Sequence, residues 1–105
     1  MELGVLEELV LLAIANMPKT GYGVTIHGAV EEARGRPISF GVIYTTLDRL
    51  EKKGYISSEL ADPTPERGGR AKRYYRLKAE GQGALERQEQ MRLRLNPAAL
   101  AEGRA

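Results

Sequence analysis

Apolar residues recur at Leu6, Leu9, Val10, Ala13, Ile14 and Met17, the spacing of one face of an α-helix. Val5, Leu11, Leu12 and Ala15 widen that stripe until the predicted helix is apolar on nearly every side. Such a helix needs cover all round, from its own core and from a second subunit. Pro18 ends it. In "KTGYGVTIHGAVEEA" the apolar positions Val24, Ile26, Ala29 and Val30 predict a weaker second helix, with Thr20 as its N-cap. Gly21, Gly23 and Gly28 lower its propensity, so tertiary packing must hold it. "RGRP" at 34–37 breaks the pattern.

The third helix has the clearest signal. Ser39 is a good N-cap, "FGVIYTTLDRLEKK" follows, and Gly54 closes it. Ile43, Leu47 and Leu50 form its buried stripe with Phe40 beside it, while Gly41, Val42, Thr45, Arg49 and Lys52 face away. After Gly54 the period drops to two. "YISSEL" reads as a strand, "ADPTPERGGR" as a turn, and "AKRYYRL" as a second strand with Tyr75 and Leu77 on its inner side. A last helix is expected over Ala79–Leu95, where Ala84, Gln88, Met91 and Leu95 follow a 4-3-4 spacing with Leu85 adjacent.

This order predicts a mainly α fold with a two-stranded hairpin: a winged helix-turn-helix with a three-helix core, a β-wing and a C-terminal helix. Residues 1–78 would form the winged-helix domain, 79–96 a dimerisation helix and 97–105 a disordered tail.

Charge sharpens the picture. The net charge of +2 is bland, yet the six cations Arg67, Arg70, Lys72, Arg73, Arg76 and Lys78 fall within one stretch free of acids. The remainder holds 10 cations against 14 acids. A slightly acidic body with one concentrated basic element implies a local anionic partner. The physics fits duplex DNA: the third helix can enter the major groove and offer Ser39, Thr45 and Arg49, while the hairpin's cations meet phosphates.

Other classes are excluded or weakened. There is no cysteine, so disulfides and thiolate metal sites cannot form. His27 is the only histidine, which leaves no zinc site of the usual composition within one chain and points to a solvated or half-buried structural role. "GYG" at 21–23 lacks the "GK[ST]" of a phosphate-cradling loop. Glu7, Glu8, Glu31 and Glu32 read as helix surface, and no nucleophile–base set is complete, so no enzyme activity or cofactor is expected. The longest apolar run, "LVLLAIA", has seven residues, too short for a membrane span, and a cytoplasmic protein is expected.

The chain resembles the PadR family of bacterial winged-helix transcriptional regulators, in its short subfamily without a separate C-terminal domain. The likeness rests on "LLAIANMPKTGYGVTI", "ISFGVIYTTLDRLEKKGYI" and "ERGGRAKRYYRLKAEGQGAL". It implies that Tyr22, Ser39, Gly41 and Tyr44 lie in the helix-turn-helix and Arg70, Lys72, Arg73 and Tyr74 on the wing. It also implies a dimer formed mainly through the last helix, with help from the first. The candidate DNA-binding set is therefore Thr20, Tyr22, Ser39, Gly41, Val42, Tyr44, Thr45, Arg49, Arg67, Arg70, Lys72, Arg73 and Tyr74. The candidate dimer set is Leu6, Leu9, Val10, Ala84, Leu85, Gln88, Met91 and Leu95. The family often has proline where Phe40 and Thr45 stand, and threonine in place of Val42. Some short members line a drug-binding pore with a tryptophan, which this chain lacks.

The expectation is a homodimeric repressor of transcription that binds a near-palindromic duplex operator and releases it when an unidentified effector changes the spacing of the wings. Two rivals come from other classes: a winged helix that docks a protein without binding DNA, and an RNA binder.

Overall fold

The computed structural model describes residues 3–61 and 72–95. Helix α1 (Val5–Ala15) starts at Gly4, whose N–H donates to the Glu7 carboxylate at 3.0 Å, so an acid in the first turn serves the helix end. Its buried face is Val10, Leu11, Ala13 and Ile14, while Val5 and Leu12 stay exposed. The helix stops at Ala15, ahead of Pro18.

Helix α2 (Gly23–Arg34) begins later than Thr20 allows, and this corrects the expected cap. Tyr22 is the N-cap residue, and the Thr25 hydroxyl supplies the capping chemistry: it accepts the Tyr22 N–H at 3.1 Å and lies within donor reach of the Thr20 and Tyr22 carbonyls. Thr20 contributes a carbonyl, because the chain at Tyr22 is extended and cannot yet be helical. Gly35, at φ +72°, ends the helix in the left-handed conformation that glycine tolerates.

Helix α3 (Phe40–Lys52) is capped by Ser39, whose hydroxyl accepts the Val42 N–H at 3.2 Å. Lys53 is its C-cap, and Gly54 takes the left-handed position one residue beyond. Thr46 is buried beside Ile43, Leu47 and Leu50; its hydroxyl donates to the Val42 carbonyl and so needs no outside partner. Strands β1 (Ile56–Leu60) and β2 (Arg73–Leu77) pair antiparallel, from Ile56 opposite Leu77 to Leu60 opposite Arg73. Tyr75 is buried, as the alternation required.

Helix α4 (Ala79–Leu95) returns across the domain. Its first turns run so close to the α3–β1 turn that a methyl group on Gly81 would collide with the Tyr55 carbonyl. Ala84 and Leu85 belong to the same core as Val10, Leu11, Ile26, Ile43, Leu47, Leu50 and Ile56, so the core is continuous across residues 78 and 79. The fold is mainly helical with a two-stranded hairpin, a winged helix. Residues 97–105 lie outside the described residues.

Glu7 and Glu8 correct another expectation. Both are buried, because α4 and the end of α3 cover the start of α1. Glu7 receives the Lys53 ammonium at 2.7 Å, and Glu8 pairs with Arg92 and accepts from the Gln88 amide. Burial alone would push the Glu7 carboxyl up; the Lys53 hydrogen bond and charge and the Gly4 N–H outweigh it and hold the group below its ordinary value. Gln88 also accepts the Leu3 N–H at 3.1 Å and donates to the Leu3 carbonyl at 2.8 Å, tying the chain's start to α4. Among the described residues, no helix is long and apolar enough to cross a membrane.

Candidate nucleic-acid interface

The outward side of α3 carries Gly41, Val42, Thr45, Arg49 and Lys52, all exposed, with Ser39 exposed at its head. This follows from the helical period: Ile43, Thr46, Leu47 and Leu50 take the inner face, leaving the opposite arc polar or small. Tyr44 sits on the flank toward α2. A side-chain carbon on Gly23 would overlap its phenol, so the "GYG" glycine provides the space in which this ring rests.

The turn before α2 and the wing are joined. Tyr22 and Tyr74 form an isolated antiparallel bridge, with ring centroids 5.4 Å apart and planes at 73°, an edge-on contact. The Lys72 ammonium lies 4.3 Å from the centre of the Tyr22 ring, a cation–π contact. The Tyr75 N–H donates to the Gly21 carbonyl at 2.8 Å. Tyr22, Lys72 and Tyr74 are thus gathered into one cluster, and the exposed Thr20 lies two residues before Tyr22.

Arg73 is placed differently from Lys72. Its guanidinium donates to the Ser58 hydroxyl at 3.0 Å, and that hydroxyl donates to Glu51 at 2.8 Å. Part of its donor capacity therefore serves the wing's own attachment to α3. Arg76 lies 3.6 Å from Glu59 with both side chains well exposed, an arrangement worth little to stability. Arg67 and Arg70 lie outside the described residues.

Phe40 was expected beside the buried stripe, but it is 46% exposed. One face of its ring stacks on His27, centroids 3.8 Å apart and planes within 12°. His27 is half-buried, and its Nε2 lies 2.7 Å from the Ile38 carbonyl. The signal for Phe40 was available in its angular position, at the edge of the apolar arc rather than within it. Nothing in spacing alone pointed to His27, eleven residues before Ile38.

The candidate dimer residues divide. Val10 and Ala84 are buried in the chain's own core, Leu85 and the Gln88 amide are engaged internally, and Leu6 and Leu9 are half-buried. Met91 and Leu95 are exposed. Between α1 and α4 runs an open groove of about 470 Å³ lined by Leu12, Ala15, Leu85 and Leu93, with Glu8 and Arg92 also at its wall.

The model of the PadR-like family of transcriptional regulators matches residues 10–87. The chain belongs to this family. A PadR family transcription regulator from Clostridium difficile shares 26% identity and a TM-score of 0.70, the match covering 97% of this chain and 100% of the other. A Streptococcus transcriptional regulator shares 31% identity, with a TM-score of 0.71 over 94% and 90% of the two chains. A PadR-like regulator from Bacillus cereus, 24% identical, has the same fold, with a TM-score of 0.74 over 97% and 94%. No curated protein matches the sequence. Membership makes the protein a DNA-binding transcriptional regulator rather than an enzyme.

Proposed function

We propose that the protein is a cytoplasmic homodimeric repressor that binds a near-palindromic operator. The α3 helix of each subunit enters the major groove, and Thr45 and Arg49 face the base edges from its exposed arc. Ser39 and Tyr44 meet phosphates at its head and flank. Lys72 and Tyr74, beside Tyr22 and Thr20, grip the neighbouring backbone together with Arg67, Arg70 and Arg73. Two such units about one helical turn apart cover a site from which polymerase is sterically excluded.

The observation that carries this reading is the joining of wing and helix-turn-helix at Tyr22, Lys72 and Tyr74. A basic hairpin hanging freely could only attract anions. One pinned to the turn before α2 holds Lys72 at a fixed distance from α3, as backbone grip and base reading together require.

The second subunit covers the α1–α4 groove. The contact is carried by the exposed Leu12, Met91, Leu93 and Leu95 rather than by Val10 and Ala84, whose surfaces are already used.

The salt dependence of binding to duplex DNA tests the reading. If each subunit engages about three phosphates, the slope of log K against log[salt] is roughly −5 for the dimer. A flat response would favour a protein-docking winged helix, and preferential capture by single-stranded RNA in competition would favour the RNA reading.

A further inference from the structure

An isolated exposed hydrophobe needs no explanation, but Phe40 is not merely exposed. It is the first residue of α3, and its ring is backed on one face by the His27 imidazole at 3.8 Å. The imidazole is itself fixed. Its Nε2 lies 2.7 Å from the Ile38 carbonyl, which can only accept, so that nitrogen carries a proton and donates it. Glu31, 3.4 Å from the same nitrogen, accepts the Ile38 N–H at 3.0 Å and closes the set. The linker before α3 holds the imidazole, the imidazole backs the phenyl ring, and Phe40 remains 46% exposed.

A braced apolar plate at the leading turn of a groove-entering helix has one apolar counterpart in the major groove, the 5-methyl group of thymine. Recognition helices contact base edges chiefly through their N-terminal residues, and Phe40 leads α3. Tyr44, also exposed, has its ring placed over Gly23, and Val42, on the outward arc, presents a smaller branched side chain. Phe40 is thus the large apolar side chain at the tip that is both braced and exposed.

We propose that Phe40 reads the 5-methyl group of one thymine in each operator half-site, with His27 as the positioning residue that holds its ring. This rests on the reading of the chain as a duplex binder through α3.

The test uses an operator recovered by selection from random duplexes, with each thymine replaced singly by deoxyuridine. That change removes the methyl group and keeps the base pair. One position per half-site should weaken wild-type binding about fourfold, the worth of one buried methyl group. Phe40→Ala should bind the thymine and deoxyuridine operators equally at that position, with an unchanged salt slope. His27→Ala retains the phenyl ring and should narrow the thymine preference at the same position alone, which a general loss of stability would not do. Phe40→Leu guards against a folding defect and should keep part of the preference.

Uniform tolerance of deoxyuridine, or a thymine preference that survives in Phe40→Ala, would overturn the proposal while leaving operator binding intact. Failure to enrich any duplex would remove both the proposal and the reading beneath it.

Discussion

Gly23 and Tyr44 share one space: the phenol of Tyr44 on α3 occupies the volume that any side chain at position 23 of α2 would need. The pair sets how closely the two helices approach near their N-terminal ends. Gly23→Ala should destabilise the fold by about 1–3 kcal/mol, the usual cost of overpacking. Tyr44→Ala in the same chain should recover most of that loss. Denaturant midpoints of the two single variants and the double variant measure the coupling, and additive losses would show that the contact is not what limits position 23.

The two parts of the interface should fail differently. Arg49→Ala should reduce discrimination between operator and random duplex by about 1–3 kcal/mol. Lys72→Ala should weaken binding to all sequences alike and lower the salt slope by about one per subunit. Titrations against specific and random duplexes at several salt concentrations separate these patterns; identical patterns would refute the division of labour.

Stability in acid should depend on Glu7. Its carboxyl is held below the ordinary value of 4.5, so the charged form favours the folded state. The contribution is full above that ordinary value and is lost as pH falls through the lower folded value. Glu7→Gln should cost about 1–3 kcal/mol at neutral pH, the range for a buried hydrogen bond left incomplete. Its deficit relative to wild type should shrink below pH 4.5, where the wild type forfeits the same interaction. Urea midpoints across the acid range give the comparison.

Met91→Asp and Leu93→Asp should yield folded monomers by sedimentation, since both residues are exposed on α4. Leu85→Asp would be a poorer test because Leu85 sits in the core, where a buried charge unfolds the chain. A dimer that persists in both exposed-site variants would move the interface away from α4.

The order and type of every element could be read from periodicity. The bounds of the last helix agree, and the alternation that placed Tyr75 inside is confirmed by its burial. What could not be read was set by long-range contact. Glu7 and Glu8 have the composition of a solvated helix face, and only the return of α4 and the placement of Lys53 bury them. Thr20 has the best local chemistry for a cap, but pairing between Tyr22 and Tyr74 keeps the chain extended past it and hands the task to Thr25. In the site, the outward arc of α3 was legible because it is the complement of the core stripe. The Tyr22–Lys72–Tyr74 cluster was legible only as separate residues, since neither periodicity nor charge says which turn a wing will lean upon.

The amide of Gln88 treats Leu3 as a neighbouring strand would, offering one acceptor and one donor to one residue's backbone. A neutral amide carries no Coulombic attraction for ions to screen. Rising salt can therefore loosen the protein's hold on phosphates while this fastening between the chain's beginning and its last helix stays unaltered. The hold on Leu3 and the grip on phosphates answer to different properties of the solvent.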